Sequence, residues 1–143
     1  MQRSQIREQI FKLLFRVEFN DVEDMPEQIK LFMEAPTLDK DEDDYKEIVF
    51  SESEEDYIVK KYNDIMNSLS EIDKLIEENA KGWTIERLGK VELTILRLAV
   101  YEIKFDEDIP VSVAINEAVE LSKRFGRDES YSFINGILAS VAK

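Results

Sequence analysis

Cysteine and histidine are both absent from the 143-residue chain. Their absence rules out a disulfide, a zinc–thiolate site, a cysteine nucleophile and a Ser-His-Asp triad. No G-x-x-x-x-G-K-[ST] phosphate loop and no G-x-G-x-x-G stretch occurs, so a nucleotide site of a standard kind is excluded as well. An enzyme built from this chain would have to work with carboxylates, lysines or tyrosines alone. The expectation is a protein that is not an enzyme and carries no cofactor and no metal. No apolar run approaches the roughly 20 residues that cross a bilayer. Charges occupy the N-terminal stretch where a signal peptide needs its apolar segment, so no membrane association and a cytoplasmic location are expected.

Glycine (four) and proline (three) are scarce, and they punctuate periodic segments rather than forming loops of their own. Positive charge is scarce too: 19 basic residues stand against 32 acidic ones, a formal charge of −13. The imbalance is uneven. Residues 1–20 hold four bases and two acids, residues 21–60 four and fifteen, residues 61–143 eleven and fifteen. A chain this acidic therefore opens with a local excess of positive charge, from Arg3, Arg7, Lys12 and Arg16. What is plentiful is apolar and aromatic side chain, 43% and 10%, enough for a globular core at this length.

The apolar residues recur at helical spacing nearly throughout. Ile6, Ile10, Leu13, Leu14 and Val17 form one face of a first helix. A second is expected over Met25–Glu34, with Pro26 in its first turn and Pro36 beyond its end. The acidic stretch 35–56 reads as a loop with at most a short helix. Asp39, Asp41 and Asp43 imitate the start of a calcium loop, but Asp44 replaces the required glycine and Phe50 the closing glutamate, so calcium binding is not expected.

From Ser53 the period resumes through Ile58, Tyr62, Ile65, Leu69, Ile72 and Ile76, with a break near Ser68–Ser70 and Gly82 suited to a C-terminal cap. Val91, Ile95, Leu98, Ala99 and Glu102 lie along a helix apolar over much of its circumference, which places it centrally. Pro110 opens a further helix with Val113, Ala114, Val119 and Leu121 as core candidates, ended by Gly126. Asp128 or Ser130 would cap a last helix carrying Tyr131, Phe133, Ile134, Ile137, Leu138 and Val141. The class is all-α: six or seven helices in two packed small bundles forming one domain. Asn116, Asn135, Arg97 and Glu102 lie inside these apolar segments. Buried polar groups need partners, so they either tie neighbouring elements together or contact a ligand.

The second half carries W-x-x-x-R-L, I-L-R-L-A-x-Y-E, I-P-x-x-V-A-I-N-E-A-V-E-L-x-K-x-F-G and F-I-N-G-I-L, in order across residues 83–138. In these motifs the chain resembles the NusB family of bacterial transcription antitermination factors, and R-E-x-x-x-K-L-L-F near the start resembles the family's opening helix. The resemblance implies one helical RNA-binding domain over residues 1–143, without enzymatic activity. Its implied ligands are boxA RNA and the small-subunit ribosomal protein that doubles as NusE. Other Nus factors and RNA polymerase complete the assembly, which promotes processive transcription of ribosomal RNA operons. Some family members form a homodimer that covers the RNA surface.

Carried over residue by residue, the resemblance implies an RNA surface of Arg3, Arg7, Lys123, Arg124, Arg127 and Phe133, where cations neutralise phosphate and an aromatic face stacks on a base. At 100° per residue Arg3 and Arg7 lie 40° apart and form a candidate clamp, whereas Lys12 and Arg16 face elsewhere. Phe133 reads equally as a core phenylalanine, and Lys123 reads first as an ordinary cation near a helix C-terminus. Phe15, Glu86 and Glu92 align with the protein-partner contacts, while Phe11 and Phe19 read as core. The alternative is a helical adaptor for a basic ribosomal protein that does not bind RNA itself.

Overall fold

A computed structural model describes the backbone of residues 1–34, 37–41 and 44–143, and the side chains of 1–34 and 48–143. The described residues form seven α-helices: α1 (Arg3–Phe15), α2 (Met25–Glu34), α3 (Glu52–Asn67), α4 (Leu69–Asn79), α5 (Lys90–Phe105), α6 (Val111–Phe125) and α7 (Ser130–Val141). Short 3-10 turns occur at Arg16–Glu18, Val22–Asp24 and Ile85–Arg87. The acidic stretch is not a loop throughout. Strands β1 (Thr37–Asp41) and β2 (Asp44–Glu47) pair antiparallel, Thr37 opposite Glu47, with a register shift between Asp39 and Asp41. Aspartate-rich sequence is a poor strand signal, and pairing here is a property of backbone hydrogen bonds that composition does not reveal. The side chains of Asp39, Asp41 and Asp43 lie outside the described residues. The class remains all-α, and no described helix is long and apolar enough to cross a membrane.

The chain divides into two compact units, residues 1–64 and 65–143. In the first, α1 buries Ile10, Phe11, Leu13 and Leu14, as its helical period predicts, and also Arg7, Glu8 and Gln9. Burial thus extends around much of the middle of the helix. Two bases at its C-terminal end have partners within the unit. Arg16 donates to the Gln28 carbonyl (3.2 Å) and to Gln28 Oε1 (3.1 Å), and its guanidinium lies 5.3 Å from the Phe32 ring centre. Lys12 pairs with the buried Glu8 one turn earlier, at 3.0 Å. Phe32 meets Phe50, ring centres 6.2 Å apart.

Helix α3 starts on a reciprocal cap that the sequence announces as Ser51-Glu52-Ser53-Glu54. The Glu54 amide donates to Ser51 Oγ (3.2 Å) and the Ser51 amide donates to Glu54 Oε1 (2.8 Å), so two otherwise orphaned donors are satisfied. The Ser51 amide, with help from the Met1 amino group 3.1 Å away, holds the Glu54 carboxyl below its ordinary value of 4.5.

In the second unit α5 is the central element, contacting α4, α6 and α7. Its buried residues include Leu93, Ile95, Leu96, Leu98, Ala99 and Val100, together with Glu92 and Glu102. Arg97 is tied to α4 by a bidentate pair, Nε to Asp73 Oδ1 at 2.9 Å and Nη2 to Oδ2 at 3.0 Å, so its expected half-buried partner is present. Ser140 Oγ donates to Asn79 Oδ1 (2.6 Å), joining α7 to α4. Gly82 follows α4 at φ 94°, a backbone angle that glycine adopts without a Cβ clash.

Four expectations are corrected. Asn116 and Asn135 are exposed, so they carry no burial penalty. Val113 is exposed as well, while Ala114 and Leu121 are buried. Neither Asp128 nor Ser130 caps α7. The cap position is Glu129, in the left-handed region at φ 66°. Phe19 is 62% exposed rather than core, because α1 ends at Phe15 and the tighter Arg16–Glu18 turn redirects the chain.

Ser51→Ala should lower stability by about 1 kcal/mol through loss of the cap, read from urea unfolding followed by circular dichroism. The Glu54 contribution is complete above its ordinary value and fades as pH falls through the depressed one. Glu54→Gln should therefore flatten the acid limb of the stability–pH profile, and an unchanged limb would refute the cap.

Candidate binding cleft

A cleft of about 260 Å³ opens in the second unit, lined by Trp83, Arg87, Leu88, Gly89, Glu92, the Arg127–Ser130 turn and Phe133. Three local features build it. The Ile85 amide donates to Glu77 Oε1 (2.9 Å), which fastens the Trp83–Arg87 segment to the end of α4. Gly89 caps α5 and places Glu92 in the first helical turn. Gly126 ends α6 in an extended conformation, and the following turn runs into α7 through the left-handed Glu129.

The aromatic wall is an edge-to-face pair, Trp83 and Phe133, ring centres 6.2 Å apart at 72°. Such pairs contribute about 0.5–1.5 kcal/mol beyond area burial. The Arg87 guanidinium lies 5.7 Å from the Trp83 ring centre. Trp83 is 47% exposed, and Phe133 beside it is half-buried. Opposite them Arg127 Nε approaches Glu92 Oε1 at 3.4 Å. A Cβ on Gly89 would fall 2.7 Å from both Arg127 Nη2 and Glu92 Oε1, so this pair passes directly over the glycine. Ser130 Oγ is buried without a hydrogen-bond partner among the described residues.

The sequence-derived residues are distributed as follows. Arg127, Phe133 and Glu92 come together in the cleft. Lys123 and Arg124 are exposed on the last turn of α6. Lys123 pairs with Glu120 at 3.8 Å and lies 5.4 Å from the Tyr131 ring centre, and Arg124 lies 4.9 Å from that of Phe125. Glu86 is exposed on the 3-10 turn. In the first unit, Arg3 is exposed, but Arg7 is only 7% exposed and has an internal partner.

The Arg3–Arg7 clamp read from the helical wheel is therefore corrected: Arg7 is part of the buried circumference of α1. Phe15 is half-buried between Phe11 and Phe19, centres 6.1 and 5.0 Å away, with Phe11 in the core as expected. Trp83, Arg87 and Gly89 were not singled out from the sequence. The signal for two of them was the four-residue spacing of Trp83 and Arg87 inside W-x-x-x-R-L.

The fold and the cleft define an all-α protein with an aromatic, cation-edged cleft. A model of the NusB family matches residues 4–143. The transcription antitermination protein NusB of Agathobacter rectalis is 49% identical over 142 residues, 99% of this chain and all of that one. The solved NusB of T. maritima superposes with a TM-score of 0.78 at 34% identity, over 99% of this chain and 91% of that one. A NusB crystallised with NusE and double-stranded RNA shares the fold, with a TM-score of 0.73 at 24% identity, over 98% and 95% of the two chains. The chain belongs to the NusB family of transcription antitermination proteins.

Trp83 is the single tryptophan of the chain, so its emission reports on the cleft alone. Phe133→Ala should shift that emission to the red by opening the indole to water, while the far-ultraviolet dichroism stays helical. An unshifted spectrum would mean that the two rings do not pack in solution.

Proposed function

We propose that this chain is an antitermination factor that works by binding rather than catalysis. It takes up boxA RNA together with the ribosomal protein NusE and so promotes processive transcription of ribosomal RNA operons in the cytoplasm. In this reading residues 1–143 act as one RNA-binding domain, other Nus factors and RNA polymerase complete the assembly, and self-pairing over the RNA surface competes with it. The observation that carries the reading is the cleft itself, in which an exposed indole, a half-buried phenylalanine and two arginines face one opening. A base can stack on the aromatic face while guanidinium groups neutralise its phosphates. Arg3, Lys123 and Arg124 are the remaining cations of the proposed RNA surface. Arg7 is left out of it because it is buried.

The partner side rests on Phe15, Glu86 and Glu92, and on a formal charge of −13, which favours a basic protein over a bare polyanion. That charge, with only Arg3 of the proposed N-terminal clamp exposed, favours one second reading, an adaptor that binds NusE without contacting RNA.

Fluorescence anisotropy of labelled boxA RNA, with and without NusE and at two salt concentrations, separates the two. The proposed function predicts weak binding alone and tighter binding with NusE. It also predicts a loss of about tenfold or more over a moderate salt increase, and no comparable binding of a scrambled RNA. Arg3→Ala should weaken binding without unfolding the chain. NusE binding to which RNA adds nothing would establish the adaptor.

A further inference from the structure

Glu92 and Arg127 stand on opposite sides of the proposed function, one a partner contact and the other a phosphate contact, yet they occupy each other. Their closest atoms are 3.4 Å apart, over a glycine whose missing Cβ leaves the room. The two ends differ in exposure: the Arg127 side chain is 79% exposed and that of Glu92 only 8%. Arg127 thus lies as a solvent-facing cover over the Glu92 carboxylate. A guanidinium held against a carboxylate is partly neutralised towards phosphate, and a carboxylate under a guanidinium is masked towards a second cation. A largely exposed arginine is held weakly and exchanges readily. Glu92 is the third residue of α5, where the helix N-terminus favours its negative charge after the arginine leaves.

We propose that Glu92 is a positioning residue of the RNA surface: it holds Arg127 in a neutralised pose, and a basic partner protein that takes the Glu92 carboxylate releases Arg127 to RNA phosphate. The proposal rests on the reading that this chain binds RNA and a basic protein, and it supplies a coupling between the two. Binding of either ligand favours the open pair, so each raises the affinity for the other by the same factor. A cation on the Gly126–Ser130 turn and an acid in the first turn of α5 become one two-state element.

The test is a double-mutant cycle in RNA affinity. Labelled boxA RNA is titrated over a salt series, with and without NusE, against wild type, Glu92→Gln, Arg127→Ala and the double variant, with Glu107→Gln as an exposed control of equal charge change. Without NusE, Glu92→Gln should bind RNA about two- to fivefold more tightly. Its log affinity against log salt should be steeper by about 0.7–0.9, one added phosphate contact.

In the Arg127→Ala background Glu92→Gln should produce neither effect beyond that of Glu107→Gln. With NusE bound, wild type should acquire the steeper slope and Arg127→Ala should lose it. Gly89→Ala, which displaces the pair without altering charge, should reproduce the steeper slope should Glu92→Gln not fold, as judged by its thermal melt. An equal gain from Glu92→Gln with and without Arg127 would overturn the latch and leave the proposed function standing. RNA binding by no variant, with or without NusE, would overturn both.

Discussion

Helix α5 must be covered on several sides, and the second unit is organised by that requirement. Leu93, Ile95, Leu96, Leu98 and Val100 are each at most 4% exposed, and burying side chains of this kind contributes about 1.5–3 kcal/mol apiece. One neighbouring helix cannot cover so wide an apolar surface, so α4, α6 and α7 all pack against it. The polar groups brought along are matched where they meet, Arg97 with Asp73 from α4 and Ser140 with Asn79 from α7 to α4. Once three helices converge on α5, their connections have few places to go. The segment after α4 and the turn between α6 and α7 are both delivered to the N-terminal end of α5, where the cleft forms.

That position gives the cleft its chemistry. A helix N-terminus favours an acid in its first turn, and Glu92 occupies that place while only 6% exposed. The neighbouring turn contributes Arg127 and, through a left-handed Glu129, the start of α7. A non-glycine residue in that conformation is strained by about 1–2 kcal/mol, and the packing of α6 against α7 holds it there. The same turn sets the depth of Phe133, so the aromatic wall and the ion pair share one support. Among the four bases of residues 1–20 the roles are divided: Lys12 pairs within α1, Arg16 ties the end of α1 to Gln28 of α2, Arg7 is buried, and Arg3 alone of the four is exposed. The positive opening of an acidic chain is thus in large part structural.

Much of the fold was legible because helical periodicity is a local property. The bounds of α2, the break at Ser68, the central place of α5 and the buried face of α7 follow from residue spacing and from a few punctuating residues. The cap formed by Ser51 and Glu54 was not read from the sequence, although it stands there as S-x-x-E within the acidic stretch. Less legible were β1 and β2, whose pairing is carried by the backbone. The cap of α7 was also missed, because Glu129 occupies it by a conformation rather than by a side-chain preference. Within the site, Phe133 and Arg127 both line the cleft, but nothing in their spacing placed Glu92 beside Arg127, 35 positions away in the chain.

The sequence by itself determined the helical class, most of the helix limits and, through four motifs in order over residues 83–138, the family. Those are properties of short windows and of their succession. Only the tertiary structure decided which charged residues face water. Arg7 and Arg3 are 40° apart on one helix, and one is buried while the other is exposed. Glu92 and Arg127 are each ordinary surface charges in sequence, and the folded chain sets them against each other over Gly89. Exposure and pairing depend on what packs alongside, and a helical wheel contains no neighbours.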